Sequence, residues 1–109
     1  MGDSTETDTI SAEEFSATAD VSEWHPADGT ATAVFRTGSF ARGVDFVDLI
    51  GELADAADHH PDVDLRYPSV TVRLSSHDIG GLSRRDAALA RAISDAARSL
   101  GVEAETDEG

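Results

Sequence analysis

Between Asp55 and Asp86 the chain collects the groups best suited to moving a proton at neutral pH: Asp55, the pair His59-His60, His77 and Asp86, with Pro61 and Tyr67 among them. Three of the four histidines lie in this stretch, and imidazole is the side chain whose ordinary titration falls between pH 5 and 8. Asp55 and His59 stand four residues apart, so on one helix the carboxylate reaches the imidazole, favours its charged form and sets its orientation. A surface ion pair has the same spacing, and the helix macrodipole alone favours histidine at a C-terminus. On a continuous helix His60 points roughly 100° away from His59. Both imidazoles therefore serve one small site only if the helix is already ending, and Pro61 supplies a reason for it to end.

Asp86 falls at Leu82 plus four and Leu89 minus three, which puts its carboxylate in the apolar stripe of the last predicted helix. A carboxylate in that position needs a partner. Ser83-x-x-Asp86 is also a capping box, which explains the same aspartate through the helix start, and the two readings are compatible. His77 follows a predicted strand in a loop of glycine and short polar residues, where rigid scaffolds carry catalytic groups and where solvent-exposed histidines are also common. No His-x-His or His-x-x-x-His pair places two imidazoles on one side of an element, and cysteine is absent. No metal site is expected. Ser75 and Ser76 lack the glycine-flanked elbow of a nucleophilic serine, and Gly80-Gly81 ahead of the last helix is a weak signal for phosphate.

The elements that must hold these residues follow from periodicity. Ser11-x-x-Glu14 opens a short helix to about Ala19, with Phe15 as its one large apolar group. A strand around Trp24, a turn over Pro26 to Gly29 and a returning strand over Thr30 to Arg36 follow. The second helix carries Phe40, Val44, Val47, Ile50 or Leu53, Ala54 and Ala57 at three- and four-residue steps, and Pro61 stops it just after the paired histidines. Val63 to Tyr67 and Val70 to Ser75 form a hairpin pivoting at Pro68-Ser69, with Val70, Val72 and Leu74 on one face. A final helix, capped by Ser83, carries Leu82, Leu89, Ile93, Ala96 or Ala97, and Leu100 on its apolar row and ends at Gly101. The order α-β-β-α-β-β-α predicts an α+β domain: a four-stranded antiparallel sheet with helices packed on one face. The domain is expected over residues 11–102, with 1–10 and 103–109 as mobile acidic tails.

At 109 residues the chain is one domain by length. Its 22 acidic residues stand against 8 basic ones, all arginine, for a net charge of -14. Such a charge repels phosphate backbones, so nucleic acid is not an expected partner. The bias fits a high-salt cytoplasm, where carboxylates keep a protein hydrated, or a genome that replaces lysine with arginine. The acidic N-terminus lacks the basic start and apolar run of a signal peptide, and no segment is apolar enough to span a bilayer. A cytoplasmic location and no membrane association are expected.

Asp55-x-x-x-His59-His60-Pro61, Tyr67, Ser75-Ser76-His77-Asp78 and Gly81-Leu82-Ser83-Arg84-Arg85-Asp86 together closely resemble the pterin-4a-carbinolamine dehydratases. The resemblance extends from Trp24, through Phe40 and Phe46, to Ala90, Ile93 and Leu100. It implies dehydration of 4a-hydroxytetrahydropterin to quinonoid dihydropterin, a step in pterin recycling that requires no metal or organic cofactor. It further implies that His59 and His77 are the principal acid–base residues, with His60 assisting or binding substrate and Asp55 and Asp86 orienting the imidazoles. Asp58, Ser75, Ser76 and Asp78 become the substrate-contacting shell, and Trp24 a wall over the flat pterin ring. Asp55 stands where the family usually has glutamate, and Ser76 where threonine is common. A homodimer or a tetramer of dimers is the expected assembly. Relatives of this fold also act as an assembly chaperone or a transcription cofactor without catalysis, but those tend to lose the histidines that this chain keeps.

Overall fold

Burial alternates along two segments, half-buried then buried over Thr30–Arg36 and again over Ser69–Leu74, the signature of strands with one face against a core. In the computed structural model, which describes residues 9–19, 22–76 and 80–105, these are β2 and β4, the antiparallel centre of the sheet. The other elements are α1 (Ala12–Ala19), β1 (His25–Ala27), α2 (Phe40–Ala57), β3 (Asp62–Leu65), α3 (Arg84–Ser99) and β5 (Glu103–Ala104). Strand order is β1-β2-β4-β3, and β5 pairs with β2 beside Phe35 and Arg36. The architecture is α+β as expected, with β5 as an additional fifth strand.

Ala31, Ala33 and Phe35 of β2 and Val70, Val72 and Leu74 of β4 are buried in one cluster with Phe15, Phe46, Leu89, Ile93 and Ala97 of the three helices. The helices thus cover one face. Phe35 sits edge-on to both Trp24 and Phe46, with ring centroids 6.1 and 5.0 Å away. Such geometry contributes about 0.5–1.5 kcal/mol per pair beyond area burial.

The capping box at Ser11 forms as predicted: Glu14 N–H donates to the Ser11 hydroxyl and Ser11 N–H to the Glu14 carboxylate. Two tail boundaries move. Ile10 is buried and its N–H donates to Leu82 O at 2.9 Å, with Thr9 bridged to Ser83. Ile10 and Phe15, flanking the cap, both join the core cluster, the pattern of a hydrophobic staple. At the other end Glu103–Ala104 extends the sheet, and Arg36 pairs with Glu105. The residues are acidic, yet a strand needs only backbone groups to pair.

The apolar stripe of α2 also differs from the expected one. Gly43, Phe46, Ile50 and Ala54 face the core, whereas Phe40 and Val44 are exposed. Of the expected row Ile50 and Ala54 are buried and Val47 and Leu53 pack against the core; the helix is apolar on more than one side, so spacing alone misplaced its first turns, where Gly43 and Phe46 take the core positions. The β3–β4 hairpin turns at Tyr67-Pro68, where Arg66 and Ser69 exchange backbone hydrogen bonds of 2.9 and 3.3 Å, one residue earlier than predicted.

Candidate active site

The chain leaves α2 before either histidine. Asp58 takes the left-handed conformation, φ 54, and its N–H reaches Ala54 O and Asp55 O. His59 N–H then closes onto Ala54 O at 3.1 Å. Aspartate is among the few residues with a side chain that tolerate this cap. The helix therefore ends at Ala57, four residues ahead of Pro61, and the paired histidines lie on the chain that follows it. That removes the expected i,i+4 contact between Asp55 and His59.

New partners replace it. His59 Nε2 lies 2.5 Å from Asp86 Oδ1, while His60 Nε2 lies 3.0 Å from Asp55 Oδ1. Successive residues past the cap thus find carboxylates on different helices.

The Asp86 end is built by the turn from β4 into α3. Ser76 N–H donates to Gly81 O at 2.9 Å, which brings the chain back on itself before Leu82 and Ser83. Ser83 caps α3, and both halves of its capping box with Asp86 are formed. Asp86 is fully buried, as its place in the apolar stripe predicted. Its Oδ2 accepts from Ser83 N–H and from the Ser76 hydroxyl, each at 2.9 Å, and lies 3.3 Å from Ser83 Oγ. Ser76 Oγ and Ser83 Oγ are 2.8 Å apart. Both expected roles of Asp86, helix cap and partnered buried carboxylate, are met by different oxygens.

A cavity of about 290 Å³ adjoins this turn, lined by Asp28, Gly29, Thr30, Ser75, Ser76, Gly80 and Gly81. Gly29 has φ +78, and a Cβ there would meet Gly81 Cα at 3.4 Å, so the tip of the β1–β2 hairpin packs against the β4–α3 turn with little room to spare. The sequence marked Asp28-Gly29 as a turn but carried no signal that it reaches this cavity.

The expected site residues divide into groups. His59, Asp86 and Ser76 come together; His60, Asp55 and Asp58 lie beside them at the exposed end of α2. Ser75 lines the cavity. The Ser76 hydroxyl, expected against substrate, is buried and engaged with Ser83 and Asp86. Trp24 is 3% exposed, and its Nε1 donates to Ser94 Oγ at 2.9 Å. A ring held that way contributes to the core and offers no open face to a ligand. His77 and Asp78 fall outside the described residues. Among the described residues no group of three or more histidine or acidic side chains could hold a metal ion, and no helix is long and apolar enough to cross a membrane.

A fully buried carboxylate thus holds a largely buried imidazole on a sheet covered by helices on one face, and its serine partner Ser76 lines the neighbouring cavity. Residues 7–96 match the family model described as pterin 4 alpha carbinolamine dehydratase, and the chain belongs to that family. A protein of Picosynechococcus sp. named "Putative pterin-4-alpha-carbinolamine dehydratase" is 44% identical over 62% of this chain and 74% of its own length. One from Chloroflexus aurantiacus with the same name is 42% identical over 65% of this chain and 76% of its own length. The crystal structure of a "transcriptional coactivator/pterin dehydratase" from Brucella melitensis superposes with a TM-score of 0.75, at 24% identity, over 82% of this chain and 98% of that one. At that identity it supports the fold alone.

Proposed function

We propose that this chain removes water from 4a-hydroxytetrahydropterin, giving quinonoid dihydropterin, by histidine acid–base catalysis. Hydroxide is a poor leaving group, so an acid protonates the 4a-oxygen as the C4a–O bond breaks. A base takes the N5 proton, and the electrons of the N5–H bond complete the N5=C4a double bond. The observation that carries the reading is His59 held by a buried carboxylate in a chain of this family. Its partner in the proposal is His77, while His60, paired with Asp55, assists at the other side of the substrate. Asp58, Ser75 and Asp78 complete the substrate shell. Each positioned acid or base contributes roughly 10² to 10⁴ in rate. Pterin recycling is the proposed role, in the cytoplasm and without a cofactor.

We also propose a homodimer or a tetramer of dimers. β3 ends the sheet with Val63 exposed, and Phe40 and Val44 form an exposed apolar pair on α2. Both are features that a second copy covers. Light scattering on the eluting protein gives the mass directly.

The activity is tested by following the decay of freshly generated 4a-hydroxytetrahydropterin at low and multimolar salt. Acceleration by wild type that is lost in His59→Ala and in His77→Ala is expected. Folded wild-type protein that leaves the decay unchanged at every salt concentration would overturn the reading in favour of a non-enzymatic interaction protein.

A further inference from the structure

The hydrogen bonds around Asp86 run in one direction. The Ser76 hydroxyl lies 2.9 Å from Asp86 Oδ2, nearer than the 3.3 Å of Ser83 Oγ, and with the Ser76 proton given to that oxygen the 2.8 Å contact between the serines is a donation from Ser83 Oγ to Ser76 Oγ. Ser83 Oγ in turn accepts from Asp86 N–H at 3.4 Å, and Ser83 N–H donates to Oδ2. A hydroxyl has one proton to give, and both are committed inside residues 1% exposed or less. Oδ2 is thereby supplied with donors from two residues, and Oδ1 faces the His59 nitrogen. Among the described residues the one buried side-chain nitrogen or oxygen without a partner is Thr37 Oγ1. Nδ1 of His59, which has no hydrogen-bond partner there, therefore keeps contact with solvent on a side chain 11% exposed.

We propose that Ser76 and Ser83 are positioning residues which, through Asp86, fix the His59 proton on Nε2 and leave Nδ1 as the nitrogen that exchanges protons with substrate. Neutral His59 then accepts at Nδ1, and its imidazolium donates from the same atom, so one nitrogen works in either direction while the carboxylate holds the ring still. Which reaction uses that nitrogen rests on the function proposed above; the tautomer does not.

The test is a long-range proton–nitrogen correlation spectrum of the ¹⁵N-labelled full chain, without substrate, at a pH above the ordinary histidine range. The His59 pattern is assigned by its loss in His59→Gln. An Nε2–H pattern is expected in wild type, and loss of that single pattern in Ser76→Ala, with recovery in Ser76→Thr. An Nδ1–H pattern in wild type overturns the proposal, as does a Ser76→Ala spectrum identical to wild type. Ser76 is outside the helix cap, so its variants keep the test open if Ser83→Ala fails to fold. In turnover, Ser76→Ala is expected to lower kcat by about tenfold, the worth of one hydrogen bond, with KM unchanged. An unchanged kcat would remove the positioning role. Wild type with the Nε2–H pattern but no dehydration would sink the proposed activity and leave the proton assignment standing; the reverse result would do the opposite.

Discussion

His59 with Asp86 and His60 with Asp55 are the same chemical pair on neighbouring residues, built in opposite environments. In the first the side chains are 11% and 0% exposed, and in the second 59% and 81%. Asp86 has donors from Ser76 and Ser83 besides its histidine, so its orientation is fixed from several directions. Asp55 is held by the one imidazole at 3.0 Å among the described contacts, and water competes for both partners. A pair in low dielectric is electrostatically strong and severely penalised when broken; a pair in water is worth little either way. Sequence spacing pointed to a buried Asp86 but not to the histidine that reaches it, because that depends on how the fold brings the end of α2 to α3.

Breaking the buried pair should have the largest effect. Asp86→Ala leaves the serine hydroxyls and His59 without their common acceptor, and a loss of about 3–5 kcal/mol in unfolding free energy is expected by denaturant titration. A loss below 1 kcal/mol would place Asp86 in the same class as Asp55. His59→Ala is expected to lower pterin dehydration by roughly 10² to 10⁴, read as kcat on protein whose fold is checked by circular dichroism. Next comes the cap that separates the pairs. Asp58→Val puts a branched side chain at φ 54 and should cost about 1–2 kcal/mol, whereas Asp58→Gly should be neutral or stabilising. If both were neutral, the left-handed turn would not direct the two histidines.

Asp55→Asn should change stability by less than about 1 kcal/mol, and the change should fade as salt is added. The smallest effect belongs to another exposed pair. The Arg66 guanidinium hydrogen-bonds Asp64 and holds its carboxyl below the ordinary value of 3.8. A depressed carboxyl adds stability above its unfolded value and loses it as pH falls through the folded one. The Tm difference between wild type and Asp64→Asn should therefore be present above pH 3.8 and vanish with further acidification; a difference that grows on acidification would contradict the assignment.

Much of the fold was legible. Ser11, Ser83 and Gly101 mark helix ends through local chemistry that depends on few neighbours, and Val70, Val72 and Leu74 alternate as a half-buried strand must. Asp86 was legible for the same reason: a charge in an apolar stripe has to be explained. The end of α2 was not. Pro61 is a strong stop, but the left-handed turn at Asp58 acts before it, and an aspartate gives only a weak sign of that conformation. Asp55 was therefore assigned to His59, whereas it pairs with His60 and Asp86 takes His59. The start of the α2 core face was misread, at Phe40 and Val44, because two apolar rows compete there and the sheet selects the one carrying Phe46; Ile50 and Ala54 lie where expected. Short Glu103–Ala104 was invisible because its pairing uses backbone alone.

The backbone contact from Ile10 to Leu82, and the bridge from Thr9 to Ser83, have a practical side. Thr9 and Ile10 are stitched to the start of α3, Thr9 to its capping residue three positions ahead of Asp86. A change at Thr9 or Ile10 thus lies one backbone pairing away from the cap that holds the carboxylate facing His59. Substitutions at Thr9 or Ile10 should accordingly be compared as changes to the α3 cap rather than as remote ones.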